Sequence, residues 1–256
     1  MKQFFLALAL IVVCAVSAQA AWSVGASDGD EIAGGAVRHV RTTVEDSATD
    51  QRAELHFAIF DSRRADLRIV DQANEPRSAL AELMQTGRFL AGVNGGYFDP
   101  QDAPVGLLIV DGKTIAPLRK ARLLSGVMVA TKVGVKVMRI AEYVSGKGTT
   151  AALQCGPFLI DRGQPVGGLN DTRSARRTFV ATAAGNRVAL GSCSDVTLAS
   201  LAKILALPAV AGDGTLQRAL NLDGGSSSAF WVRGERDVFS ISEWKTVRNF
   251  VAVLAK

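Results

Sequence analysis

Three short polar segments stand where the chain leaves an apolar run: Asn94-Gly95-Gly96-Tyr97-Phe98-Asp99, Gln154-Cys155-Gly156-Pro157 and Asp223-Gly224-Gly225-Ser226-Ser227-Ser228. Glycine lets a ligand come close to the backbone, and paired glycines beside Asn or Asp can aim successive N–H groups at an anion. Each segment alone reads first as a turn. Together they offer neutral amides, two carboxylates and a row of hydroxyls. A fourth segment, Arg173-Ser174-Ala175-Arg176-Arg177-Thr178, sets three arginines ahead of the apolar run Phe179–Thr182. It reads either as a solvated basic loop or as a phosphate clamp, because a guanidinium matches phosphate oxygens with two parallel donors. Arg177, at the start of that run, is the arginine best placed to be held still.

Other reactive side chains are few. Cys14 lies in an N-terminal leader, so Cys155 and Cys193 remain as an even pair. In an oxidising compartment such a pair predicts a disulfide, with two buried thiols as the alternative. A nucleophilic thiol needs a nearby histidine. The only two, His39 and His56, sit far upstream in strand-like contexts and read as structural. No cofactor is implied and no metal ligands are assigned, although Asp99, Asp102 and Asp223 leave a divalent cation open.

The elements that position these residues read as strands from about Ala53 onward. Glu54–Phe60, Leu67–Val70 and Leu90–Val93 are strands, with a helix over Arg77–Thr86 before the last of them. Asp111-Gly112, Asp161-Arg162-Gly163 and Gly185-Asn186 are hairpin signals, and the alternating Val133, Val135 and Val137 pair with Val127–Val129. A second helix covers Thr197–Ala206, and the strands Ala219–Leu222, Ala229–Val232 and Phe250–Leu254 follow. The expectation is an α+β fold: a hairpin-rich mixed sheet with a few packed helices. No motif is legible before Leu55.

Lys2, the apolar run Phe4–Val16 and the small residues Ala18-Gln19-Ala20 read as a signal peptide over residues 1–20 that is cleaved on export. The remaining residues, 21–256, carry no linker or repeat and read as one domain, periplasmic or secreted, with no stable membrane insertion. A net charge of +5 and a pI near 9.3 suit anionic ligands. Aromatics make up only 6% of the chain, too few for a base-stacking surface, so nucleic acid is excluded as a partner.

The polar segments, with Gly106-Leu107, Arg177-Thr178, Asn221-Leu222 and Val247-Arg248-Asn249-Phe250-Val251-Ala252-Val253, occur in an order that resembles the phosphodiester glycosidase family across roughly Leu90 to Val253. The resemblance implies hydrolysis of a sugar-1-phosphodiester at the glycosidic bond, giving free sugar and a phosphomonoester, with a phosphorylated carbohydrate as substrate. Arg177 is then the phosphate clamp, supported by Arg173 or Arg176. Asp223 is the first choice for the catalytic carboxylate and Asp99 the second. Asp223 has a structural alternative, as acceptor for the N–H groups of its own turn. Asn94, Gly95, Gly96, Gln154, Gly156, Gly224, Gly225, Ser226, Ser227 and Asn249 complete the expected substrate-binding set. The rival reading is a non-catalytic periplasmic module that binds cell-envelope glycan or an anionic polymer.

Overall fold

The computed structural model describes residues 22–256, so the leader expected at 1–20 lies outside the described residues. A meander of β1 (Trp22–Ile32), β2 (Val37–Asp46) and β3 (Gln51–Asp61) leads to β4 (Ala65–Asp71), the helix α1 (Leu80–Thr86) and β5 (Phe89–Asn94). Next come β6 (Leu108–Val110), β7 (Lys113–Ala116), β8 (Gly126–Thr131), β9 (Gly134–Arg139), β10 (Thr149–Cys155), β11 (Phe158–Asp161) and β12 (Gln164–Pro165). The chain closes with β13 (Ala175–Ala183), β14 (Arg187–Val196), the helix α2 (Leu198–Leu205), β15 (Leu216–Asn221), β16 (Phe230–Arg233), β17 (Val238–Ile241) and β18 (Asn249–Ala255).

Turn chemistry sets the hairpins. Asp111-Gly112, Arg162-Gly163 and Gly185-Asn186 each hold two consecutive positive φ angles, 46° and 77°, 52° and 78°, 73° and 63°. A two-residue turn of that hand matches the right-handed strand twist. The strands form three sheets, in the orders β1-β2-β3-β14-β13-β15-β11-β12, β7-β6-β10-β8-β9 and β17-β16-β5-β18-β4. Every strand pair among the described residues is antiparallel, which corrects the expected mixed sheet. The helical content is also smaller than an α+β reading implies: two short α-helices among the described residues.

One face of each sheet meets a shared core that includes Phe60, Val93, Met128, Leu153, Phe158, Val180, Leu220, Phe230 and Val251. The opposite faces are covered separately. Leu201, Ile204 and Leu205 of α2 cover the largest sheet, and Leu80 and Met84 of α1 cover the β17-β16-β5-β18-β4 sheet. Strands buried on both faces read as near-continuous apolar runs, which is why Phe250–Val253 shows no polar alternation: Phe250 and Ala252 face α1, Val251 and Val253 the shared core. Thr197 caps α2, its hydroxyl accepting the Ser200 N–H at 3.0 Å. α1 begins at Leu80 and not at Arg77, because residues 77–78 are tied back to Gln72: the Ser78 N–H donates to Gln72 Oε1 at 2.8 Å and Arg77 Nε to the Gln72 carbonyl at 2.9 Å. No helix among the described residues is long and apolar enough to cross a membrane.

The expected Cys155–Cys193 disulfide is absent, and both cysteines are free and buried. Cys155 belongs to the shared core and Cys193 to the α2 side of the largest sheet, so a β-sheet separates the thiols. Burial pushes the Cys155 thiol up to about 12. A protein beginning at Ala21 should therefore resist thiol reagents when native and titrate both cysteines in denaturant without reductant. No reaction in denaturant would restore the disulfide.

Candidate functional site

The registers place Asn94 opposite Phe250, Val93 opposite Phe230, and Asn221 opposite Phe179. The ends of β5 and β15 and the starts of β13, β16 and β18 therefore gather at one end of the core, where the polar segments emerge. Asn94 ties them together. Its Oδ1 accepts the Thr178 hydroxyl at 2.7 Å and the Ala229 N–H at 3.0 Å, and its Nδ2 donates to the Asp223 carbonyl at 2.8 Å. Asn94 is fully buried. It acts as an internal strut, its amide bonded to the protein itself.

Gly95 and Gly96 run against Asn249. The Gly95 N–H donates to the Asn249 carbonyl at 2.8 Å and the Gly96 N–H to Asn249 Oδ1 at 3.0 Å. A Cβ on Gly95 would overlap the Asn249 side chain, so glycine is needed there for close approach. Asn249 is buried, and its Nδ2 has no partner among the described residues. The same is true of Ser228 Oγ and Asn221 Oδ1.

Asp223 is held by both neighbours. Its N–H donates to the Gly95 carbonyl at 3.1 Å, and its Oδ1 accepts the Gly224 N–H at 2.9 Å. Burial raises its pKa above the ordinary aspartate value, against the Ser227 hydroxyl, the Gly224 N–H and the Lys245 ammonium, which pull it down. The structural and chemical readings thus coexist: one oxygen closes the turn, and the carboxyl remains half-buried.

Arg177 is buried. Nε donates to the Val196 carbonyl at 2.9 Å and Nη2 to the Arg173 carbonyl at 2.6 Å. Arg176 donates from Nε to the Gly225 carbonyl at 3.3 Å and from Nη1 to the Ser242 carbonyl at 3.0 Å, and its Nη2 is buried without a partner. Neither guanidinium has an ion-pair partner among the described residues. Burial lowers the pKa of both below the usual arginine range. Asp195, and for Arg176 also Glu243, act on them through charge without forming an ion pair, and an anion placed against a desolvated guanidinium offsets its cost further. Arg173 itself is exposed and contributes its carbonyl.

Two expected members fall outside the site. Gln154 lies between Leu153 and Cys155, which face the shared core, so its side chain emerges on the other face of the sheet. There Oε1 accepts the N–H groups of Leu107 and Arg119, at 2.9 and 3.0 Å, and Nε2 donates to the Arg119 carbonyl at 2.6 Å. Asp99 closes its own loop, Oδ1 accepting the N–H groups of Gln101 and Ala103 at 2.9 Å each. Asp102 pairs with Arg77 at 3.0 Å. The three aspartates are thus engaged separately, and among the described residues no group of three or more His, Cys, Asp or Glu is placed to hold a metal ion.

Sequence reasoning gave no part to Tyr97, Asn221, Trp244 or Lys245. The Tyr97 hydroxyl donates to the Gly156 carbonyl at 2.6 Å and accepts from Asn221 Nδ2 at 3.2 Å. Burial raises its pKa, keeping a neutral phenol among Cys155, Asp223 and Arg177. Trp244 and Lys245 come from the connection between β17 and β18, their N–H groups donating to the Ser226 carbonyl at 2.8 and 3.2 Å. The one available signal was an aromatic among polar residues just ahead of Val247. A cleft of about 640 Å³ opens elsewhere, lined by Asp28, Asp30, His39, His56, Asp237 and Phe239 among others. It contains none of the expected site residues. His39 Nε2 and His56 Nδ1 lie 3.1 Å apart within it.

Replacing Asn94 with Ala strands the Thr178 hydroxyl and the Ala229 N–H inside the protein. The expected loss is about 2–3 kcal/mol in denaturant unfolding. A loss under ~0.5 kcal/mol would show that the strut carries no weight.

Among solved structures the chain is similar to the catalytic domain of zebrafish N-acetylglucosamine-1-phosphodiester alpha-N-acetylglucosaminidase auto-inhibited by its pro-peptide, at 17% identity and TM-score 0.64, over 93% of this chain and 87% of that one. A hypothetical protein from Synechocystis matches at 16% identity and TM-score 0.60, over 90% and 64%. A protein from Burkholderia pseudomallei matches at 14% identity and TM-score 0.52, over 81% and 75%. These likenesses speak for the fold alone. No match was found among curated protein sequences. The profile of the phosphodiester glycosidases matches residues 87–254, which span all the polar segments. The chain belongs to the phosphodiester glycosidase family.

Proposed function

We propose that residues 21–256 form one exported hydrolase domain that cleaves the glycosidic bond of a sugar-1-phosphodiester to free sugar and a phosphomonoester. The observation that carries this reading is a pair of guanidiniums with no ion-pair partner among the described residues, the buried Arg177 and the half-buried Arg176, beside the half-buried Asp223. A phosphodiester supplies the anion that the arginines lack.

In this mechanism the bond from C1 to the phosphate oxygen breaks, and the electron pair leaves with the phosphomonoester. Such a leaving group needs no proton from the enzyme if cationic N–H donors stabilise it, so Arg177 takes the place of the general acid that ordinary glycosidases use. The Asp223 carboxylate faces the positive charge that develops on the sugar ring and accepts a proton from the water that adds to C1. Ser226 and Ser227 lie within the Asp223 turn, where they can meet sugar hydroxyls or phosphate oxygens.

The reading predicts that Asp223→Asn loses about 10³-fold in kcat and Arg177→Met about 10²–10³-fold, by assay of reducing sugar released from a pyranosyl phosphodiester. Activity of wild-type protein should fall on the acid side, with an apparent pKa above the ordinary aspartate value, as Asp223 is protonated. The stability effect has the opposite sign. A raised carboxyl pKa means that the contribution of Asp223 is full below the ordinary aspartate value and is lost as pH rises through the folded value. Asp223→Asn should therefore be at least as stable as wild type at neutral pH. Full activity of Asp223→Asn would remove the residue from the chemistry, and binding without any product release would favour a non-catalytic glycan-binding module.

A further inference from the structure

Trp244 is the one tryptophan that the fold leaves open. Trp22 and Trp231 are 7% and 0% exposed, whereas Trp244 is 74% exposed. A single exposed aromatic is ordinary by itself, but this one is held in place beside the Asp223 turn. Its N–H donates to the Ser226 carbonyl at 2.8 Å, which ties its backbone to the Asp223 turn. The Arg176 guanidinium lies over its ring, 4.1 Å from the centroid, and is itself fixed by the carbonyls of Gly225 and Ser242. Lys245, the next residue, acts on the Asp223 carboxyl through its charge.

One face of the indole is therefore covered by a guanidinium that is anchored on the same turn, and the rest of the side chain stands in water. Aromatic faces bind the apolar face of a pyranose, whose axial C–H groups meet the negative face of the ring. The side chain loses little entropy on binding, because Arg176 already restrains it.

We infer that Trp244 is a stacking platform for the sugar ring of the substrate, set beside the arginines that take its phosphate. This rests on the sugar-phosphodiester reading of the Asp223 site and adds to it a residue that selects for a ring. Trp244 makes no bond to the reacting atoms. Its contribution lies in binding and not in the chemical step.

The test uses the full domain with the 1-(methyl phosphate) diesters of glucose, mannose, galactose and N-acetylglucosamine, and dimethyl phosphate as a probe without a ring. For every diester turned over, Trp244→Ala should raise KM by about tenfold and leave kcat within about twofold, while Trp244→Phe keeps most of the affinity. Acrylamide quenching reports independently, since Trp244 is the solvent-accessible fluorophore. A bound diester should shield it and dimethyl phosphate should not. Unchanged KM in Trp244→Ala, or undiminished quenching at saturating diester, would overturn the platform while leaving the hydrolase reading intact. If no diester is hydrolysed, the hydrolase reading falls, and quenching alone decides: shielding by diesters sustains the platform, and its absence overturns it.

Discussion

The side chain of Asn94 is the constraint on which the site depends. One buried amide joins the start of β13 through Thr178, the start of β16 through Ala229 and the Asp223 turn through its carbonyl. These groups belong to two sheets and to the loop that carries the carboxylate. The strut brings them together, and its own carbonyl oxygen and amide nitrogen both have partners there. Gly95 and Gly96, packed on Asn249, hold the other side of the same junction. The polar segments are thus mostly a frame, and only a few of their side chains are left over for chemistry.

Those left over share one electrostatic feature. Arg176 and Arg177 lose solvation and form no ion pair among the described residues, while Asp223 is desolvated and tied to its own turn. A fold built for stability alone would let the opposite charges neutralise each other. Keeping them apart leaves separate positive and negative charges at one site, the arrangement that the proposed cleavage of a sugar phosphodiester uses. Tyr97 adds a buried neutral phenol between the two.

Much of this was legible in the sequence. The hairpin turns, both helices and most of the strands from Glu54 onward follow from turn residues and apolar spacing, while the short edge strands β12 and β17 do not. The β1–β2 hairpin did not, because β1 is a largely exposed edge strand whose Gly25, Asp28, Gly29 and Asp30 carry no apolar alternation. Site membership was legible as segments but not as individual roles. Gln154 and Asp99 sit in the right motifs, yet sheet alternation turns Gln154 to the far face and local N–H groups take up the Asp99 carboxylate. Nor could spacing along the chain show that a sheet would come between Cys155 and Cys193. Trp244 and Lys245 were missed because their link to Asp223 runs through the Ser226 carbonyl, a contact of the folded chain alone.

The central claim is that the bond broken is the one between C1 and oxygen, with the phosphate leaving intact. Hydrolysis of a pyranosyl phosphodiester in ¹⁸O-labelled water, with mass analysis of both products, tests it most directly. The account predicts the label in the released sugar and none in the phosphomonoester. Label in the phosphate would mean attack at phosphorus, and would contradict the roles assigned to Arg177 and Asp223.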